Sequence, residues 1–114
     1  MSHDFTQFNL NWRQDPLEIK AAAPETSRTA GGLQAGAMRA GTLDVREKEL
    51  IALAIGLTQG CTGSICLHAF EAKKAGASRE QVMEAAGVAV MMHGDPAFVH
   101  LPIVSAAFDL PLAT

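Results

Sequence analysis

The residues best suited to chemistry in this chain lie in one short run, Cys61-Thr62-Gly63-Ser64-Ile65-Cys66-Leu67-His68. Thiolate is the reactive form of cysteine, and a cysteine at a helix N-terminus is pushed toward it by the positive end of the helix dipole. Cys61 stands where a helix is expected to begin, which makes it the candidate nucleophile. At ~100° per residue, Ser64 and His68 share a helix face with Cys61 at its top, while Cys66 falls about 200° away from Ser64. In a wholly helical segment the Cα atoms of Cys61 and Cys66 would be roughly 8–9 Å apart, beyond the ~7 Å that a disulfide tolerates. A bridge between them therefore needs an unwound first turn. Ala72 and Ala75 continue the face and leave room for a neighbouring helix. His68 can pass a proton to or from Cys61 through Ser64 or water; the alternative is a half-buried histidine bonded to a backbone carbonyl.

Glu49 is the second unusual residue. It falls on the stripe Val45, Glu49, Ala52/Leu53, Gly56, which is otherwise apolar. A carboxylate on such a stripe must be paired or take a raised pKa, and that is how a proton-handling carboxylate is made. The alternative is a solvated first-turn acid like Glu47. Metal ligation is an alternative use of the same residue types. His68, His93, His100, Cys66 and Glu49 are suitable ligand types, but only Cys66-x-His68 has tight ligand spacing. No metal and no cofactor is expected.

The elements that must position these groups read as helices. There is no Tyr and one Trp, alternating β-branched segments are absent, and alanine-rich stretches punctuated by Gly and Pro dominate. Pro24 opens a helix that runs to Ala40 and closes at Gly41, although Gly31-Gly32 weakens it. Asp44 and Glu47 form a capping box for the next helix. Its body, Leu50 to Leu57, is apolar round most of its circumference, as in a central buried helix, and it ends near Gly60. A third helix runs from about Gly63 to Ala75, with Gly76 as stop. Ser78 with Gln81 caps a fourth, carrying Val82, Ala85, Ala86 and Ala89 on one stripe and ending near His93-Gly94. Asp95-Pro96 starts a fifth that runs to about Leu110 with a kink at Pro102. Met38, Met83, Met91 and Met92 read as core or interface filler, and Lys73-Lys74 and Arg79-Glu80 as solvated surface.

Composition excludes several classes. The chain has 114 residues, enough for one domain burying about two-thirds of its surface. Hydrophobic residues at 48% against 18% charged exclude intrinsic disorder. A net charge of −3 lacks the basic surplus of a nucleic-acid binder, and no apolar run is long enough for a membrane-spanning helix. Met1-Ser2-His3-Asp4-Phe5 lacks a basic region followed by an apolar one, so a cytoplasmic location is expected. A reducing compartment keeps thiols reduced, so the two cysteines are not expected to form a structural staple. Residues 1–23, with Phe5, Phe8, Leu10 and Trp12 in a polar context, are expected to form an N-terminal arm packing on its own domain or a neighbouring subunit. Residues 24–114 form the helical domain.

Leu43-Asp44, Glu49 to Ala54, Gly60-Cys61, His68 and Lys74-Ala75-Gly76-Ala77 resemble the carboxymuconolactone decarboxylase family, and within it the alkyl hydroperoxidase D-like proteins. Their motif is Glu, eleven residues, then Cys-x-x-Cys-x-x-x-His. Glu49, Cys61 and His68 match it in register, and Gly87 to Met92 and Gly94 to Ala97 are also family-like. The resemblance covers about residues 24 to 110. It implies an all-α fold whose helices interlock between subunits, commonly in trimers or hexamers. It also implies thiol-dependent reduction of a hydroperoxide, with a thiol reductant as second partner. The second motif cysteine, which in those proteins is thought to meet the peroxide, falls on Ser64 here. Cys61 then works alone with an external thiol, or Cys66 serves as its partner, or the site is inactive as a peroxidase.

Three functions compete. The first is an antioxidant peroxidase with Cys61 as nucleophile, Glu49 and His68 managing protons, and Ser64 as a hydrogen-bonding remnant. The second is a lyase of the decarboxylase branch, working by acid–base chemistry through Glu49, His68 and His93. The third is a non-enzymatic oligomeric binding subunit.

Overall fold

A computed structural model of the chain describes residues 18–112. The contacts expected of Phe5, Phe8, Leu10 and Trp12 lie outside the described residues. Six helices follow one another from Pro24 onward, and no strand occurs among the described residues. They are α1 (Pro24–Met38), α2 (Val45–Gln59), α3 (Thr62–Lys74), α4 (Arg79–His93), α5 (Asp95–Phe98) and α6 (Leu101–Phe108). The all-α expectation holds.

Local chemistry sets most of the boundaries. The Asp44 carboxylate accepts the Glu47 amide at 2.7 Å, and the Glu47 carboxylate accepts the Asp44 amide at 2.9 Å, so both halves of the capping box are made. Ser78 and Gln81 do the same for α4. The α2 helix ends on Gly60, whose φ of 63° lies in the left-handed region where a side chain would be strained. Its amide closes on the Gly56 and Leu57 carbonyls, and the chain turns at once into α3.

The α2–α3 pair is the heart of the molecule, with α4 packed on α2 and α6 on α3. The two central helices run in opposite directions. Gly56 meets Ser64 near the turn, and Glu49 meets His68 farther from it. Their shared core is Leu53, Leu57, Ile65 and Ala69, joined by Val82 and Ala86 of α4 and Val104 of α6. The contact at Gly56 is tight: a Cβ there would sit 2.9 Å from the Ser64 Cβ. Only glycine lets the two backbones approach this closely, which fixes where Ser64 stands.

Three expectations need correction. The last helix is two helices, broken at Val99-His100, with Pro102 in the first turn of the second. Proline has no amide to donate back to the Phe98 carbonyl, and its ring crowds that turn, so the helix restarts rather than kinks. The α2 helix is not covered all round by this chain: Leu53 and Leu57 are buried, while Ile51 and Ile55 are about half exposed. Lys73 and Arg79 are not free surface charges. Lys73 Nζ donates to the Phe108 and Leu110 carbonyls at 2.9 and 3.0 Å, and Arg79 pairs with Asp109 and Ser105. These bonds hold the end of α6 against the body, and both cations lie over the Phe108 ring.

Lys48 does similar work at the other end. Its Nζ donates to the Ala37 and Arg39 carbonyls at 2.9 and 2.6 Å. They lie at the end of α1, where carbonyls lack helical partners. No residue of α1 is buried, so this bond is a main tie of α1 to the domain. Leu43, just before the Asp44 cap, is exposed.

Candidate functional site

Glu49 lies in the second turn of α2 and is buried, with 6% of its surface exposed. It is the single buried charged side chain among the described residues. Its Oε2 lies 2.7 Å from Nδ1 of His68 on α3, nineteen residues later. Burial and this contact exclude the reading of Glu49 as a solvated acid, and His68 is held by a carboxylate rather than a carbonyl. A carboxylate accepts only, so Nδ1 carries the shared proton and Nε2 is left to take one. A buried carboxylate that orients an imidazole in this way is the arrangement used to hold a catalytic base in one tautomer.

Cys61 is the N-cap of α3, exposed and unpaired as a free thiol. Its pKa lies below the ordinary thiol value. The largest cause is the Ser64 hydroxyl, which hydrogen-bonds to the sulfur; the Ser64 amide adds to it, burial opposes it weakly, and the Gly63 amide helps. No side-chain hydrogen bond caps the first amides of α3, and the Ser64 and Gly63 amides at that open end favour the Cys61 thiolate. Ser64 is thus the chain's link between the sulfur and the face that carries His68.

Cys66 is 3% exposed and faces the core with Leu57, Ile65 and Ala69. Burial raises its pKa to about 11. The first turn of α3 is regular, with the Ile65 amide on the Cys61 carbonyl at 2.9 Å. The structure therefore brings Glu49, His68, Ser64 and Cys61 to one side of the α2–α3 pair and puts Cys66 on the other. His93 is exposed at the end of α4. His100 donates from Nδ1 to the Pro96 carbonyl at 2.7 Å, and its ring lies against Gly60.

A cavity of about 350 Å³ opens beside the pair. Ser64, Leu67 and His68 of α3 and Ala52 of α2 form its floor. Leu33, Gln34, Ala37 and Met38 of α1 form the opposite wall. No Lys or Arg among the described residues lines it. Sequence reasoning missed this wall, because α1 buries nothing in the core and faces a space instead.

Comparison with known proteins agrees with this architecture. The model of the carboxymuconolactone decarboxylase family matches residues 24–104. An uncharacterized protein of Cupriavidus necator is 31% identical over 88 residues, covering 77% of this chain and 78% of its own length. Uncharacterized protein 4 in the cox locus of Paracoccus denitrificans is 34% identical over 99 residues, covering 81% of this chain and 89% of its own. Among solved structures, a carboxymuconolactone decarboxylase family protein of Legionella pneumophila superposes with a TM-score of 0.88 at 30% identity, covering 95% of this chain and 96% of that one. One from Thermotoga maritima, for which a part in antioxidative response has been suggested, superposes with a TM-score of 0.79 at 24% identity over 94% and 88% of the two chains. With its helices in the same arrangement and four-fifths of the α1–α6 sequence and more under the family model, this chain belongs to the carboxymuconolactone decarboxylase family.

Proposed function

We propose that the protein is a thiol-dependent peroxidase of the alkyl hydroperoxidase D-like kind, using Cys61 as its one redox-active sulfur. The observation that carries this is the Ser64 hydroxyl: it favours the Cys61 thiolate and stands on the same α3 face as His68, whose imidazole Glu49 holds. The Cys61 thiolate attacks the terminal oxygen of a hydroperoxide. The O–O bond breaks, the sulfur becomes a sulfenic acid, and the leaving alkoxide takes a proton delivered through His68 and Ser64 or water, departing as an alcohol. A small thiol then condenses with the sulfenic acid, releasing water and leaving a mixed disulfide. A second thiol frees Cys61 and leaves as the oxidised disulfide. The buried Cys66 takes no part, so the reductant is external, as in a reducing cytoplasmic setting. The suggested antioxidative role of the Thermotoga maritima relative points the same way. The decarboxylase reading is weaker on one ground: a substrate bearing several carboxylates would meet no Lys or Arg in the cavity among the described residues.

Consumption of an alkyl hydroperoxide in the presence of dithiothreitol tests the reading. The parent protein should turn over, and Cys61→Ala should fall to the rate of buffer. Equal rates for the two would sink it.

The proposal includes a homo-oligomer, a trimer or hexamer. Ile51, Ile55, Val88, Met91 and Met92 are exposed on α2 and α4, with Met92 at 74%. An apolar surface of this kind is what a subunit interface covers. Light scattering should give three or six times the chain mass, and a monomer at micromolar concentration would contradict this part. Among the described residues, no helix is long and apolar enough to cross a membrane.

A further inference from the structure

We propose that Ser64, His68 and Glu49 form a second catalytic device, a serine nucleophile with its base and orienting acid, that transfers acyl groups from small neutral esters. The thiol chemistry is not needed for it. The replacement of the motif's second cysteine by Ser64 leaves the Glu49–His68 pair intact at 2.7 Å, and Ser64 and His68 line the same cavity. The roles fit the logic of a triad, which is recognised by geometry rather than by chain order. Glu49 fixes Nδ1, Nε2 is the open nitrogen, and Ser64 lies one helical turn before His68 on the same face. In a helix, side chains lean toward the N-terminus, which carries the imidazole toward Ser64. Ser64 is held in place by the Gly56 contact.

The cavity decides the substrate class. Ser64 and His68 line it and Cys61 does not, so a molecule seated there meets the hydroxyl and the imidazole. The walls given by Leu33, Ala37, Met38 and Leu67 suit a short apolar acyl chain, and Gln34 offers an amide donor to its carbonyl. In the reaction, the Ser64 hydroxyl turns from the Cys61 sulfur toward His68, and its Oγ bonds to the acyl carbon while its proton passes to Nε2. The C–O bond to the alcohol then breaks, and the alcohol leaves with that proton. Water, deprotonated by the same nitrogen, cleaves the acyl-serine to a carboxylic acid and restores the hydroxyl.

The test uses the whole chain. A fluorophosphonate probe is added to native protein and the modified residue is mapped by mass spectrometry, and hydrolysis of 4-nitrophenyl butyrate is followed in parallel. The proposal expects one phosphonyl group per chain on Ser64. It also expects ester hydrolysis to fall at least about 100-fold in Ser64→Ala, which keeps the Cβ packed on Gly56, and in His68→Gln. Absence of the label, a label on any other residue, or a Ser64→Ala protein as fast as the parent would overturn it. The redox reading is scored separately by hydroperoxide consumption. Peroxide turnover without Ser64 labelling removes the acyl proposal alone, and Ser64 labelling without peroxide turnover removes the redox reading alone.

Discussion

Glu49→Gln should slow the reaction of Cys61 with a hydroperoxide by about 10²- to 10⁴-fold, the range set by loss of a positioned proton carrier. The substitution is nearly isosteric, so α2 keeps its packing and the circular dichroism spectrum should not change. What changes is the partner seen by His68. A carboxylate only accepts, and so requires the proton on Nδ1; an amide can also donate, and then allows the proton to move to Nε2, where the imidazole can no longer take one up. The buried contact is made at 2.7 Å between groups with little access to water, so solvent does not replace it. Glu49→Ala should have the same kinetic effect with an added loss of about 1.5–3 kcal/mol in stability, because a buried hydrogen bond to a charged group is lost. Stopped-flow peroxide kinetics, with urea denaturation beside them, separate the two variants. Unchanged kinetics in Glu49→Gln would remove the pair from the mechanism.

Gly56→Val should lower stability by about 3 kcal/mol and raise the pKa of Cys61 at the same time. The first added carbon would lie 2.9 Å from the Ser64 Cβ and 3.5 Å from its carbonyl carbon. Neither atom is the end of a flexible side chain, so α2 and α3 must separate, and overpacking of this kind costs roughly 1–3 kcal/mol or more. Valine also has no large helix-forming advantage over glycine to offset it. Separation moves Ser64, the residue whose hydroxyl does most to favour the Cys61 thiolate. The sign follows: a weaker bond to the thiolate raises the pKa, so the midpoint of the pH profile for iodoacetamide alkylation moves to higher pH, and the rate at neutral pH falls. A variant that loses stability with an unmoved alkylation profile would show that Ser64 does not govern the sulfur.

How much of this was legible in the sequence depended on distance along the chain. The caps at Asp44 and Ser78 are bonds across three residues, and their spelling announces them. The placing of Ser64 and His68 on one face, and of Cys66 on another, follows from helical period alone. The burial of Glu49 did not follow, because its fate was set by a histidine nineteen residues away. Lys73 and Arg79 looked like surface charges since nothing local reveals that α6 ends within their reach. Pro102 was read correctly as a disturbance but not as a break, because a missing amide and a crowded turn are compatible with a kink as well as with a restart. The role of α1 was the least legible. Its residues face a cavity and not the core, so they leave little apolar periodicity to read.

The most direct test of the account is to mix the native protein with one equivalent of an alkyl hydroperoxide, trap sulfenic acid with dimedone, and locate the adduct by peptide mass. The account predicts a dimedone adduct on Cys61 with Cys66 left as a free thiol. An unmodified Cys61, or an adduct on Cys66 in the folded chain, would contradict it.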